Sequence, residues 1–398
     1  MRQGTRERPN QVKPYNSRNM YQTETRNFRR NRHVINHVNQ VSRQDPDSKN
    51  YYNHMNKRSD IMASCNIAVL GNNALALTTA LELQTELRNA KISILSESFN
   101  TGTTDSVATS MFRPSSNFMG PNEAVTRKWV QDSYYYWEQI KLSVDAAFAG
   151  VVELAGYSYS NMSPSVVKHR YLETLLPLYR SATPPELDIC PGDWKYGSFF
   201  SSILIDNDVY TPWLTKKLIS TNVNISATKI NSLSELNDQY NVIVNCTGLE
   251  GKHLFDDPKL VPIREQTLKV HAPWCKTFFL AEYDTYVVPS FNGVTLGGCR
   301  NFESYNLDVN RHDELAIKER CEALVPSLKG SQILENRVGL LPYREQVRVE
   351  KEVITTGTYR MNVVHNYGHG ENVLTTAPGT AKYAVDLVKE MLKGNFHN

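Results

Sequence analysis

The sequence contains no apolar run approaching the roughly 18 residues that a helix needs to cross a bilayer, so we expect no membrane-spanning segment. Its six cysteines include no C-x-x-C pair and no spacing with histidine that is typical of zinc sites. Reduced thiols and no metal centre are therefore expected. With 398 residues, of which 40% are apolar and 21% charged, the chain is long enough for two globular domains.

The net charge of +3 hides an asymmetry along the chain. Residues 1–60 hold 13 Lys and Arg against 5 Asp and Glu, whereas the remainder holds 31 against 36. A basic segment on a mildly acidic body argues against a protein that binds nucleic acid as a whole. Residues 1–61 are also poor in Leu, Ile and Val, so we predict a disordered basic tail, with an organelle presequence as the alternative.

A dinucleotide-binding pattern follows this tail. Ile67-Ala-Val-Leu70 predicts a short buried strand, Gly71 a turn, and residues 74–87 a helix with apolar residues at helical spacing. Residues 91–95 predict a second strand, which ends just before Glu97. In this plan the helix N-terminus faces a pyrophosphate and the acidic residue binds a ribose hydroxyl.

The glycine fingerprint of that pattern is incomplete, since only Gly71 of G-x-G-x-x-G is present. Ala76 in the last position still permits close packing of the helix, but Asn73 puts a side chain where the backbone would approach a phosphate. A second indication of a nucleotide comes from residues 241–245, a mostly apolar strand that runs towards Gly248.

Elsewhere the sequence predicts a core helix and an antiparallel domain. Trp129, Tyr136 and Trp137 share one face of a helix over residues 124–142, and we interpret this aromatic face as core. The strands around Asn292-Gly293 form a hairpin, which favours an antiparallel second domain.

Near the C-terminus, strands at residues 345–350 and 362–365 precede a glycine-rich stretch and a helix over residues 379–392. His365 and His369 have the spacing of zinc ligands on a helix, but the glycines between and after them argue against a helix there.

Four segments together resemble the D-amino-acid oxidase and D-aspartate oxidase family, over residues 66–392. The resemblance rests on the order and spacing of the four segments rather than on any single segment. They are Val242-Ile-Val-Asn-Cys-Thr-Gly248, Val270-His-Ala-Pro-Trp274, Val294-Thr-Leu-Gly-Gly298 and Val364-His-Asn-Tyr-Gly-His-Gly370.

The resemblance implies an α/β flavoprotein, with a Rossmann-like FAD-binding domain and a second, mainly antiparallel substrate domain. FAD-binding segments are expected at residues 62–115, 213–255 and 336–398, and substrate-domain segments at 116–212 and 256–335. Such enzymes oxidise the Cα of a D-amino acid; molecular oxygen reoxidises the flavin to give peroxide, and the imine hydrolyses to a 2-oxo acid. The protein contributes positioning and electrostatics.

The resemblance also assigns site residues. Tyr286 falls on a substrate-binding tyrosine, and Arg300 falls where the D-aspartate branch has an arginine for the side-chain carboxylate, which suggests an acidic substrate. The residues expected to bind the cofactor are Gly71, Ala76, Glu97 (the ribose acid), Thr103, Thr104, Gly248, Gly368 and Gly370.

Several positions depart from the family pattern. Leu341 replaces the arginine that binds the substrate carboxylate, and Arg344 is no simple substitute because three residues along a strand point to the opposite face. Glu371 replaces a flavin-side glycine and adds negative charge there. The family's second pocket tyrosine is lost or is supplied by Tyr283. Further changes are Ser110, also at a flavin-side glycine, and Asn372-Val373.

Arg113 offers a compensation for Leu341, because it falls on a pocket-wall position that is normally uncharged in the family. It could supply the missing guanidinium. The alternative is a surface arginine beside the turn at Pro114.

Three hypotheses follow. The first is an FAD-dependent oxidase of D-amino acids; the second is a catalytically degenerate relative that serves as a binding or regulatory protein; the third is an oxidase of an amine without a carboxylate. The expected partners are a small D-amino acid and oxygen, with no nucleic acid and no membrane. The chain ends without an S-K-L type signal, so a cytoplasmic rather than peroxisomal location is expected. The oligomeric state is open.

Overall fold

A computed structural model describes residues 65–97, 107, 111–357 and 359–394. Residues 62–398 form one compact unit. The predicted basic tail at residues 1–61, together with Ser110, Thr103 and Thr104, lies outside the described residues. The division of the compact unit into FAD-binding and substrate segments stays a prediction. No helix in the described ranges has both the length and the apolar character to cross a bilayer.

The predicted strand, turn, helix and strand are present. Strand β1 (Asn66–Leu70) leads through Gly71 to helix α1 (Ala74–Glu86), and strand β2 (Lys91–Ser96) returns parallel to β1 with Ile67 opposite Ile92. Four of the five β1 residues are buried, as expected for a central parallel strand that is covered on both faces.

The strands of the described residues belong to one 13-stranded sheet in the order β4-β5-β3-β9-β10-β11-β8-β12-β13-β7-β1-β2-β6. The end from β13 to β6 is parallel, and β8 to β13 pair antiparallel apart from the parallel contacts of β13 with β7 and of β9 with β3. This confirms the predicted fold class. The remaining strands are β3 (Val151–Ser160), β4 (Tyr179–Ser181), β5 (Tyr196–Ile205), β6 (Asn224–Ala227), β7 (Val242–Asn245), β8 (Val261–His271), β9 (Phe278–Ala281), β10 (Thr285–Ser290), β11 (Gly293–Phe302), β12 (Gln332–Thr356) and β13 (Tyr359–His369).

The longer helices besides α1 are α2 (Glu123–Lys141), α3 (Asn207–Ser220), α4 (Arg311–Leu324) and α5 (Val373–Gly394), with short helices at Pro164–Val167, Leu172–Leu175, Pro184–Leu187 and Gly251–Leu254. Helices α1 and α5 pack against each other and over the parallel end of the sheet, while α2 packs against α5 and against β3 and β5. The aromatic face of α2 lies in this layer, where Trp129 and Trp137 are fully buried and Trp137 contacts Tyr210 edge-on. The interpretation of that face as core is confirmed.

The C-terminal helix begins six residues earlier than predicted and contains Pro378. A proline inside a helix removes one amide donor and frees carbonyl groups. Here Trp137 donates to the Thr375 carbonyl at 3.1 Å, and the Ser133 hydroxyl donates to the Thr376 carbonyl at 3.1 Å. The strands before α5 are also longer than predicted, spanning 25 residues in β12 and 11 in β13.

Candidate active site

Strands β1, β2 and β7 end side by side, and the turn at Gly71 lies where they meet. The Gly71 amide donates to the Leu95 carbonyl at 2.9 Å, and the Cys246 amide donates to the Leu70 carbonyl at 3.0 Å. Gly71 has φ +116°, and a Cβ there would lie 2.5 Å from the Cys246 carbonyl oxygen. Only glycine fits this turn, because the end of β7 approaches it closely. Gly71 is also the one glycine of the G-x-G-x-x-G fingerprint that the sequence keeps.

The side chain of Asn73 lies beside the turn, where its amide nitrogen would be 3.9 Å from a Cβ on Gly248, and its effect on a phosphate stays a prediction. Its Oδ1 accepts from the Ala76 amide at 2.8 Å, and its Nδ2 donates to the Cys246 carbonyl at 2.9 Å. The side chain therefore caps α1 and ties it to the end of β7. Ala76 is fully buried, and its amide is already bonded to this cap.

A cleft of about 290 Å³ opens at these strand ends. Apolar side chains of Leu70, Leu95 and Leu254 line it together with Glu97 and Lys229. Glu97 is about half exposed, and its two carboxylate oxygens each accept from the Lys229 ammonium at 2.9 Å. An apolar floor beside an accessible carboxylate fits an adenosine, with the ring on the leucines and the ribose on the acid.

Gly248, which follows β7, lies close to Pro342 of β12. Gly248 has φ +65°, and a Cβ there would lie 3.1 Å from the Pro342 ring. Together with the Gly71 turn and the cleft, this narrow backbone passage fits the ADP half of FAD.

Residues 368–372 connect β13 to α5. Gly368 and Gly370 have φ +90° and +57°, which is the left-handed conformation that glycine adopts without strain. His369 between them is 2% exposed, and its Nε2 contacts the Thr380 hydroxyl at 3.0 Å. Burial lowers the pKa of His369 to about 3, so the ring is neutral. Within the described residues its Nδ1 has no hydrogen-bond partner, which leaves a buried polar atom near the start of α5.

A second cleft, here called the central cleft, lies between this connection and the antiparallel strands. Its wall includes Phe118, Ile263, Arg300, Leu341, Tyr343 and Glu371. Arg300 forms ion pairs with Asp284 at 2.9 Å and with Glu371 at 2.5 Å. Burial opposes the charge of Arg300, but Glu371, Glu265 and Asp284 outweigh it and raise its pKa. The guanidinium is therefore permanently charged and is already held by two carboxylates.

Tyr286 is buried behind Arg300, and its hydroxyl donates to Glu265 at 2.8 Å. A Cβ on Gly297 would overlap the tyrosine ring, so the Gly297-Gly298 pair makes room for it. Strand pairing sets Glu265 opposite Arg300. Glu265 was not foreseen from the sequence.

Glu265 is 1% exposed, and its Oε2 has no partner among the described residues. Burial raises its pKa from 4.5 to about 7, although Arg300 and the Tyr286 hydroxyl act in the opposite direction. Near neutral pH the group therefore exchanges a proton beside Arg300.

Arg113 is not among the residues that line the central cleft, but it lies close enough to interact electrostatically with Glu371 and Arg300. The residue is exposed, and desolvation by the surrounding protein lowers its pKa. The charges of Glu371 and Arg300 both act on it, in opposite directions. No hydrogen bond or ion pair joins it to another residue of the described part of the chain. Arg113 is thus within electrostatic range of Arg300 and Glu371, and the assignment of Arg113, Arg300 and Tyr286 to a substrate site stays a prediction.

Other residues weighed from the sequence have other contacts. Leu341 is fully buried opposite Ile263. Arg344 lies in the lining of the central cleft, and its guanidinium pairs with Asp257 at 2.8 Å. Tyr283 is 79% exposed, so it does not supply a second pocket tyrosine.

The remaining polar candidates serve the fold. His365 is buried between Asn245, at 3.2 Å, and Glu352, at 2.9 Å, and burial lowers its pKa to about 4. No group of three or more potential metal ligands occurs in the described ranges. All six cysteines fall within those ranges and are free.

Comparisons with known proteins agree with this geometry. The family model described as DAO, FAD dependent oxidoreductase, matches residues 66–387. Human D-aspartate oxidase is 32% identical over 330 residues, which cover 83% of this chain and 96% of that protein. A D-amino acid oxidase of Dugesia ryukyuensis is 29% identical over 342 residues, covering 82% and 98%.

Solved structures share the fold. Glycine oxidase from Geobacillus kaustophilus has a TM-score of 0.68 at 15% identity, covering 82% of this chain and 95% of that one. L-alpha-glycerophosphate oxidase from Mycoplasma pneumoniae, solved with FAD bound, has a TM-score of 0.63 at 13% identity, covering 82% and 95%. The chain therefore belongs to the DAO family of FAD-dependent oxidoreductases, and its cofactor is FAD.

Proposed function

We propose that this protein oxidatively deaminates D-amino acids, acidic ones such as D-aspartate among them. The amino acid, oxygen and water give a 2-oxo acid, ammonia and hydrogen peroxide. The observation that carries the proposal is the position of Arg300 in the wall of the central cleft, with Arg113 within electrostatic range of Arg300 and Glu371. The similarity to proteins named D-aspartate oxidase and D-amino acid oxidase supports it.

The cofactor would be held by the strand ends around Gly71 and Gly248, with Glu97 at the ribose. Bound FAD supplies the two-electron acceptor for the Cα–H bond and passes the electrons to oxygen. Lys229 would have to share Glu97 with the ribose hydroxyl, since it now holds both carboxylate oxygens.

Arg113 binds the α-carboxylate of the substrate in this proposal. It has no carboxylate partner in the described residues, whereas Arg300 already has two. Leu341 cannot accept or donate a hydrogen bond, so it contributes an apolar wall beside Ile263. That wall excludes water and strengthens the electrostatic contact made by Arg113.

Arg300 binds the side-chain carboxylate of an acidic substrate. It lies on β11 opposite Glu265, and Arg113 approaches the cleft from the segment that follows Met111. A dicarboxylate held by one arginine at each end has its Cα fixed between them, which is the positioning that the reaction requires. Tyr286 is held by Glu265 and supports Arg300 from behind.

Substitution of Arg113 by alanine tests this assignment. A charge-assisted hydrogen bond contributes roughly 1.5–3 kcal/mol, so R113A should raise KM for D-aspartate by roughly 10- to 150-fold. The matched control is Arg360→Ala, which removes an exposed arginine at the opposite edge of the sheet, near Asn66 and Asn241. If peroxide formation from D-aspartate has the same KM in R113A and R360A, Arg113 does not bind the substrate.

A further inference from the structure

The contacts of Arg300 join two parts of the protein. Asp284 lies in the turn before β10, within the same group of antiparallel strands as Arg300, and its carbonyl accepts from the Gly298 amide. Glu371 instead comes from the connection between β13 and α5. Its ion pair therefore crosses the central cleft from the nucleotide-binding side to the antiparallel strands.

The backbone that carries Glu371 is held firmly on both sides. Asn372 donates to the His369 carbonyl at 3.2 Å and accepts from the Ser115 amide at 2.6 Å. Gly370 has φ +57°, so the turn depends on a conformation that a side chain would strain. Any movement that releases Arg300 must therefore come from the Glu371 side chain, which is 22% exposed and lines the cleft.

Both terminal nitrogens of Arg300 already contact a carboxylate, through two of its five N–H donors. Asp284 contacts Nη2 and Glu371 contacts Nη1, while Nε is buried and has no partner in the described part of the chain. A carboxylate that enters from the cleft must take a position on the guanidinium, and the one that faces the cleft belongs to Glu371. A second anion beside it would meet like-charge repulsion from Glu371 and Asp284.

We propose that the Glu371 carboxylate is an internal competitor for Arg300, which an acidic substrate must displace and a neutral one need not. This rests on the proposed function, because it concerns the same cleft and the same arginine. Glu371 thereby sets the preference between dicarboxylic and monocarboxylic D-amino acids. Its competition is intramolecular, so it acts at a high effective concentration whatever the amount of substrate.

The test is Glu371→Gln, which keeps the size of the side chain and removes its charge. The ratio of kcat/KM for D-aspartate to kcat/KM for D-alanine should rise at least about tenfold, mainly through a lower KM for D-aspartate. The matched control is Glu345→Gln, which removes a charge from the rim of the same cleft without an Arg300 contact. It should change the ratio less than about twofold.

An unchanged or lower ratio in E371Q would overturn the proposal, as would an equal rise in E345Q, which would mean a general effect of charge. If Glu371 acted only on the flavin, kcat would change alike for both substrates and the ratio would stay constant.

Binding of succinate gives a readout that needs no turnover. Succinate has two carboxylates and no amino group, and its Kd for the FAD-loaded protein should fall at least about tenfold in E371Q when measured by calorimetry. Butyrate, with one carboxylate, should show less than about a twofold change. Failure of the wild type to oxidise any D-amino acid would refute the proposed function, whereas equal succinate Kd values in wild type and E371Q would refute the role of Glu371.

Discussion

Replacement of Glu265 by glutamine should change how the stability of the protein depends on pH. Burial raises the pKa of this carboxyl from 4.5 to about 7 in the folded state. Between those two pH values the unfolded chain ionises Glu265 while the folded chain keeps it protonated. The free energy of unfolding therefore falls as pH rises through this interval, by roughly 1.4 kcal/mol per pH unit and about 3 kcal/mol in total.

Glu265→Gln removes this dependence and keeps an oxygen that can accept from the Tyr286 hydroxyl. The difference in the free energy of unfolding between the variant and wild type should therefore shift by about 3 kcal/mol in favour of the variant from pH 4.5 to pH 8. The assay is urea unfolding at four pH values from 5 to 8, with saturating FAD throughout. The control is Glu390→Gln, since Glu390 is 56% exposed in a surface ion pair with Lys351 and should differ from wild type by less than about 1 kcal/mol at every pH. Parallel stability curves for wild type and E265Q would refute the buried protonated state of Glu265.

Two further substitutions test the scaffold of the site. Gly71→Ala should lower the free energy of unfolding by about 2–5 kcal/mol and abolish FAD binding in a fluorescence titration, because it adds overpacking against Cys246 to the strain of a positive φ. The control is Gly330→Ala, at φ +79° with open space around it. It should lower the free energy of unfolding by only about 1–2 kcal/mol and leave FAD affinity unchanged. Leu341→Ala should cost about 2–5 kcal/mol in urea unfolding, as expected for a fully buried leucine, and a loss below about 1 kcal/mol would show that Leu341 is not part of the core.

The nucleotide-binding half was predictable from local sequence. The apolar run of β1 and the Gly71 turn have few alternative structures, and β1 proves to be buried along four of its five residues. Local pattern failed where tertiary contacts override it. The C-terminal helix was predicted to begin at residue 379, but α5 begins at Val373 and contains Pro378. There Trp137 of α2 donates to the Thr375 carbonyl and Ser133 of α2 accepts from the Gly379 amide, contacts that local sequence does not reveal.

The site was predictable in part. Arg300 and Tyr286 could be named because they fall on substrate-binding positions of the family, and Arg113 because it falls on a pocket-wall position that is normally uncharged. Glu265 had no such signal, since it lies in the polar run Arg264-Glu-Gln-Thr267 and only strand pairing brings it to Tyr286, 21 residues away. The negative charge at Glu371 was expected, but its pairing with Arg300 depends on how the two halves of the sheet meet.

The account depends most on FAD lying along the strand ends with a D-amino acid held at Arg113. The direct measurement is the absorbance of the purified, FAD-loaded protein in the absence of oxygen. The account predicts a flavin spectrum that bleaches when D-aspartate is added, does not bleach with L-aspartate, and returns on admission of oxygen with release of peroxide. A colourless protein that FAD does not stabilise, or a flavin spectrum unaffected by every D-amino acid, would contradict it.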